Sequence, residues 1–329
     1  MRPIIRLRPE TTRRGLVRQR NKIRFGWFSG WRRRTSSRSN QIRTPMRLGL
    51  FFVLLFGTLS GVSAQTVSRF PLNVLSFNIR YNTPQDGLNA WPNRKEIAAN
   101  VFTAYQVDFA GLQEALAGQI ADLQDQLPAY GWVGVGRDDG KTQGEFSPIF
   151  YNKQKFEVLK QGTFWLSETP EVPGSKSWDA ALPRIATYAV FQDKRNESQV
   201  FVINTHFDHI SETARQNSAK LLISKIKELS NDLPVILTGD FNTPDASPSI
   251  KTLTSDSTFK LTNTESLSEN PHTGGTSTFN NFKTDQRGPV IDFIFVGPDV
   301  AVQRHDYLPI LKDQVFISDH WPVLSRLTY

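Results

Sequence analysis

The chain has 329 residues, 38% of them hydrophobic, and no cysteine, so it can bury a large core and excludes disulfides as a source of stability. Its formal net charge of +8 is concentrated at one end: residues 1–47 hold 15 Lys and Arg against the single acid Glu10, leaving 24 basic and 30 acidic residues elsewhere. The folded part is therefore net acidic, and the overall basicity is no argument for nucleic-acid binding by it.

Residues 1–45 are Arg-rich, acid-poor and lack helical periodicity, which reads as a basic disordered leader or translation from upstream of the true start. An RNA-binding arm is the competing reading. From Met46 the pattern changes: Arg47 supplies a short positive region, Leu48–Leu59 an apolar run, and Val62-Ser63-Ala64 small residues at a cleavage position. Residues 46–64 thus have the anatomy of a signal peptide, and a secreted or periplasmic protein beginning near Gln65 is expected. The apolar run is short for a membrane span, which makes an uncleaved anchor the lesser reading.

Residues 65–329 read as one catalytic domain. Short apolar runs predict strands at Asn73–Phe77, Phe109–Leu112, Ile149–Tyr151, Thr187–Phe191, Val200–Asn204, Val235–Leu237, Val290–Phe295 and Val323–Leu327. Helices are predicted at Arg94–Tyr105, Ala117–Gln126 and Ser211–Leu229, the last with Ser211 as N-cap and Ala214, Leu221, Leu222, Ile226 and Leu229 on one stripe. Segments 168–184 and 269–288 read as long functional loops. Strands outnumber helices and often follow one another directly, which favours an α/β fold of two packed sheets with outer helices.

Polar residues recur where the apolar strands end. They are Asn78; Gln113-Glu114; His206, Asp208 and His209; Asp240 and Asn242; Asp292; and Asp319-His320. Taken singly, each has a bland reading: a turn residue for Asn78, a first-turn helix acid for Glu114, a surface pair for Asp319-His320. Taken together, carboxylates and amides without thiolate suit a hard cation, Mg²⁺ or Mn²⁺, and the histidines supply proton transfer.

The ordered set Leu75-Ser-Phe-Asn78, Gly111-Leu-Gln-Glu114, Asn204-Thr-His206, Gly239-Asp240-Phe-Asn242 and Ser318-Asp319-His320 resembles the endonuclease/exonuclease/phosphatase superfamily. The likeness runs from about Leu72 to Leu327, and its details are similar to a bacterial secreted branch related to the deadenylase-like group. The resemblance implies a DNase I-like, four-layer α/β sandwich of two mixed sheets flanked by helices. It implies a Mg²⁺-dependent phosphoester hydrolase acting by in-line water attack. Glu114 would be the principal metal ligand, with Asn78 and Asp319 beside it. Asp240 and Asn242 would hold water and phosphoryl group. Two His–carboxylate pairs, His320 with Asp292 and His206 with Glu145, would complete the catalytic set.

Substrate choice is less marked. Trp91-Pro-Asn-Arg94-Lys95, Arg137, Trp178 and Arg184 fall on expected loops, with Arg137 or Arg184 a candidate phosphate clamp and Asp208 and His209 candidate pocket residues or helix caps. Loop packing is the alternative for the tryptophans. No long Lys/Arg-rich helix is present to track a duplex. The expected partner is a phosphoester substrate, a small diester, phospholipid headgroup or nucleic acid, acted on by a monomer without a stable protein partner. A non-catalytic binding protein on the same fold is the reading from a different class.

Overall fold

The computed structural model describes residues 69–285 and 288–329; the leader and signal segment expected over residues 1–64 lie outside the described residues. In chain order the elements are β1 (Leu72–Asn78), α1 (Trp91–Ala104), β2 (Phe109–Gln113), α2 (Ala117–Gln126), β3 (Tyr130–Val133), β4 (Ile149–Asn152), β5 (Phe156–Trp165), β6 (Ile185–Asp193), β7 (Gln199–His206) and α3 (Glu212–Leu229). There follow β8 (Val235–Asp240), α4 (Pro248–Thr254), β9 (Thr262–Asn263), α5 (Thr264–Leu267), β10 (Asp292–Val296), β11 (Ala301–Tyr307), the short β12 (Leu311–Lys312) and β13 (Val315–Phe316), and β14 (Val323–Thr328).

Two mixed six-stranded sheets form, ordered β11-β14-β1-β2-β4-β3 and β5-β6-β7-β8-β10-β9. The single parallel pair at the centre of each, β1 with β2 and β7 with β8, is joined by a helical crossover, α1 and α3 respectively. Three apolar clusters follow from the two-residue period of the strands. Leu72, Val74, Phe109, Val202, Ile236 and Ile294 fill the space between the sheets. Leu75, Phe77, Ala110 and Leu112 face α1 and α2 on one outside, and Phe201, Ile203, Leu237, Phe293 and Phe295 face α3 and α4 on the other. The result is the α/β/β/α sandwich that the strand-rich pattern favours.

Several elements differ from their expected bounds. Helix α1 begins at Trp91, not Arg94, because Pro92 sits where a missing N–H costs nothing. The Trp91-to-Lys95 segment is therefore the first turn of a helix and not a loop at a substrate mouth. Trp91 is buried with its Nε1 donating to Asp122, and Arg94 is fully buried, donating to the carbonyls of Ile79, Ile317 and Arg80. On α3 Ser211 is the N-cap, accepting from Ala214 N, but Ala219 and Ile223 are buried while Leu221 and Leu229 are half-buried. Strands β3, β5 and β11 have no counterpart among the predicted runs; β5 lies at a sheet edge with five of its ten residues polar or glycine, so its period is blurred.

Between β11 and α5 lies a buried histidine, His305, whose Nδ1 meets the hydroxyls of Thr264 and Ser325. Burial, aided by His272 and opposed by Asp306, pushes its pKa down to about 4. The unfolded chain takes a proton near 6.5 and the folded chain only near 4, so this group's contribution is complete above pH 6.5 and is lost as pH falls toward 4. The loss amounts to about 3 kcal/mol at the acid end. Urea denaturation at about pH 7 and about pH 4.5 checks this: His305→Asn is expected to flatten the pH dependence, and an unchanged slope would count against the assignment.

Candidate active site

The strand period that builds the core also builds the site. On β1, Leu72 and Val74 point between the sheets, so Ser76 and Asn78 do as well. The same phase carries Gly111 and Gln113 on β2, Asn204 and His206 on β7, Thr238 and Asp240 on β8, and Asp292 on β10. Apolar residues fill the lower part of the seam and polar ones its end.

A polar layer closes the seam beneath the site. Asn204 donates to the carbonyls of Leu112 and Pro148 at 2.7 and 3.0 Å, and its Oδ1 accepts from Gln113 Nε2 at 2.7 Å and Thr238 Oγ1 at 3.0 Å. Gly239 N donates to Ser76 Oγ at 3.0 Å. The two sheets are thus bonded to each other by side chains where an apolar core would leave them free to slide.

Above this layer the carboxylates converge. Asn78 Nδ2 donates to Glu114 Oε1 at 3.0 Å and to Asp240 Oδ2 at 2.9 Å, joining residues from both sheets. Glu114 Oε2 accepts from Tyr81 N at 3.1 Å and lies 3.9 Å from Arg80 Nη1, whose Nε is 3.8 Å from Asp319 Oδ2. Arg80 is not among the residues that the sequence singles out. It follows Asn78 by two residues, is fixed on Asp86 at 3.2 Å and lies over the Tyr81 ring at 4.3 Å. A cation two positions after a strand-end amide is the signal that would have found it. Arg80, Glu114 and Asn242 all adopt positive φ, 53°, 59° and 52°. Three of the strand ends therefore bear conformational strain in aiming their side chains.

His320 Nδ1 bonds Asp292 Oδ2 at 2.8 Å and lies 3.8 Å from Asp240 Oδ2. Burial opposes its charge, but Asp292 and Asp240 outweigh that and hold its pKa well above the usual value, so it is an imidazolium at neutral pH. Asp240 is fully buried, and burial together with Asp292 pushes its pKa up to about 7. Asp319 is raised too, by burial first, with Glu114 adding repulsion.

His206 is different. Burial, then Arg184 and Arg137, lowers its pKa well below 6.5 and keeps it neutral. Its Nε2 faces Asn242 Nδ2 at 2.9 Å, an N–H donor, which puts the imidazole proton on Nδ1. Glu145 is not its hydrogen-bonded orienter: the Nδ1 to Oε2 distance is 4.0 Å, and both Glu145 oxygens accept from Arg137, at 2.7 and 2.9 Å. The bidentate guanidinium outcompetes a neutral imidazole for that carboxylate.

One substrate candidate is also reassigned. Asp208 is buried, and its oxygens accept from the backbone N–H groups of Ala181, Ile210 and Ser211, so it ties the 168–184 loop to the start of α3 and has no oxygen turned to a ligand. Trp178 is half-buried with φ 59° and its carbonyl accepts from Ser211 Oγ. His209 is exposed, its Nδ1 3.0 Å from Arg184 Nη2.

The residues present fit a hard cation. Burial, with repulsion between neighbouring carboxylates added, raises Asp240 and Asp319, and the donors are all oxygen or imidazole. The ligand atoms of Asp240, Asp292 and His320 lie within 4.8 Å of one another, yet a protonated His320 locked on Asp292 is a poor ligand. Glu114, with Asn78 and Asp319, could hold it instead.

A double-sheet sandwich whose strand tips gather carboxylates, amides and two unlike histidines is the architecture of a phosphoesterase class. The chain belongs to the endonuclease/exonuclease/phosphatase family, whose model matches residues 75–320. It is similar to a solved endonuclease/exonuclease/phosphatase from Bacteroides vulgatus, 43% identical, covering 78% of this chain and 98% of that one with a TM-score of 0.76. A mannosyl-6-phosphatase from Bacteroides thetaiotaomicron is 37% identical over 78% of this chain and all (100%) of its own, with a TM-score of 0.72. D. rerio TDP2, solved with a single-strand DNA product, is 18% identical over 78% of this chain and 98% of its own at a TM-score of 0.62, a likeness of fold alone.

Proposed function

We propose that this protein is an exported, Mg²⁺-dependent hydrolase of small, hydrophilic phosphoesters, of which sugar phosphates are the favoured kind, rather than a nuclease. The observation that carries the reading is the junction at Asn78, which bonds Glu114 of one sheet and Asp240 of the other beside the His320–Asp292 pair. The 37% identical mannosyl-6-phosphatase supports the substrate class, and the acidic body of the chain weighs against a polyanion.

Glu114, Asn78 and Asp319 would hold the cation, which supplies Lewis-acid stabilisation of phosphoryl oxygens when bound. Asp240 and Asn242 position the attacking water, and Asp240, with its raised pKa, accepts the water's proton. The His320 imidazolium donates an N–H to the phosphoryl oxygens where negative charge grows, while Asp292 fixes its tautomer and stabilises its charge. Neutral His206 holds the Asn242 amide in place.

Turnover of p-nitrophenyl phosphate and mannose 6-phosphate, with Mg²⁺ and after chelation, tests the reading. Glu114→Ala is expected to raise the Mg²⁺ concentration needed for half-maximal rate by at least about tenfold, the scale of losing one charge-assisted ligand. An unchanged Mg²⁺ dependence would sink the Glu114 assignment, and duplex or single-stranded DNA turned over faster than either small ester would sink the substrate class.

A further inference from the structure

Beside His206, two buried guanidinium groups carry nitrogens that make no hydrogen bond among the described residues. Arg184 is 4% exposed, and its Nε and Nη1 make no hydrogen bond. Its third nitrogen, Nη2, meets only the neutral acceptor His209 Nδ1 at 3.0 Å. The carboxylate nearest it, Asp208, stands off at 3.8 Å with its oxygens already taken by backbone N–H groups. Arg137 commits Nη1 and Nη2 to Glu145, while its buried Nε makes no hydrogen bond and stands 3.9 Å from Asp138 Oδ1. Both charges add to the effect of burial in keeping His206 neutral. A buried cation with open donors is costly by itself, and an oxyanion in reach of those donors would offset that cost.

Resting on the phosphoester-hydrolase reading above, we infer that Arg184, assisted by Arg137, forms a subsite that receives the extra oxygen and extra charge of a phosphomonoester dianion, and so selects monoesters over diesters. A diester presents two non-bridging oxygens and one negative charge. A monoester presents three and nearly two charges, and the third oxygen needs donors beyond the cation and the His320 imidazolium. Once Nη2 turns from His209 to a charged oxygen, Arg184 Nε and Nη2 offer two parallel N–H groups, the geometry that suits a phosphoryl edge. His209, exposed and bonded to Arg184 only through a neutral nitrogen, is displaceable by such an oxygen and stands at the mouth of the subsite. Loss of a charge-assisted pair of this kind corresponds to roughly 10- to 150-fold in rate or binding.

The test compares p-nitrophenyl phosphate with methyl p-nitrophenyl phosphate, which share a leaving group, in wild type, Arg184→Met and Arg184→Lys. The ratio of the two kcat/KM values within one preparation does not depend on the fraction folded, so poor folding cannot imitate the effect. Wild type should prefer the monoester; Arg184→Met should lower the monoester value about 100-fold and the diester value less than about threefold, and Arg184→Lys should fall between. Inhibition by inorganic phosphate should weaken in parallel. An unchanged ratio in Arg184→Met overturns the inference while leaving the hydrolase reading intact, whereas a wild type inactive on both esters with Mg²⁺ fails the hydrolase reading itself.

Discussion

Asp240→Asn is expected to lower kcat about a thousandfold while the protein still folds, since proton transfer by a positioned side chain is worth roughly 10²- to 10⁴-fold. The substitution keeps the shape and keeps one oxygen, which can accept from Asn78 Nδ2 or from Asn242 N. It removes the ability to take a proton. The raised pKa also sets the sign of the stability effect. A carboxyl whose folded pKa is about 7 against 3.8 unfolded loses stability for the fold as pH rises from about 4 to about 7, and above about 7 the cost of burying its ionised form is complete. The amide side chain carries no such cost. Net of the one hydrogen bond lost, metal-free Asp240→Asn should be more stable than wild type near pH ~8 by about 1–3 kcal/mol. Near wild-type turnover in this variant would remove Asp240 as the base. A fall in stability would instead say that the carboxylate is a structural anchor.

The second large effect concerns the seam. Gly111 has an ordinary backbone conformation, so space and not φ demands glycine. A Cβ there would stand 2.0 Å from Thr238 Oγ1 and 2.5 Å from Asn204 Oδ1. Neither atom can retreat, because Asn204 is engaged by four hydrogen bonds at once. Gly111→Ala must therefore part the sheets or break two or more buried bonds, a loss of about 3 kcal/mol or more. Gly118 in α2 is the control: nothing lies within 4 Å of its added Cβ, and Gly118→Ala should stabilise by roughly 1 kcal/mol. Urea midpoints of the two variants should move in opposite directions. A Gly111→Ala protein as stable as wild type would mean that the sheets are not clamped at this layer.

Much of the site was legible because strand ends carry it. Asn78, His206 and Asp240 are each the last residue of a strand, and Asp292 is the first of its own, so locating the apolar runs located them. What the linear pattern could not weigh was competition for partners. Glu145 lies close enough to His206 to be paired with it on paper, but Arg137 takes both oxygens. Asp208 follows a strand as the other site carboxylates do, but three backbone N–H groups claim it. Arg80 escaped notice because its importance comes from Glu114 and Asp319, which are distant in sequence.

The sequence by itself determined the period of two along the central strands, hence which residues face the seam, and the chemical kind of its end: oxygen donors, amides and histidines. That information is local, since adjacent side chains must point to opposite faces whatever the rest of the chain does. Only the tertiary structure decided which histidine is charged. Both are buried, which disfavours a charge on either; His320 keeps its proton because Asp292 and Asp240 flank it, while His206 loses its own to burial with Arg184 and Arg137 beside it. Buried charges set one another's protonation across distances of a few ångströms, and those distances exist only once both sheets have closed.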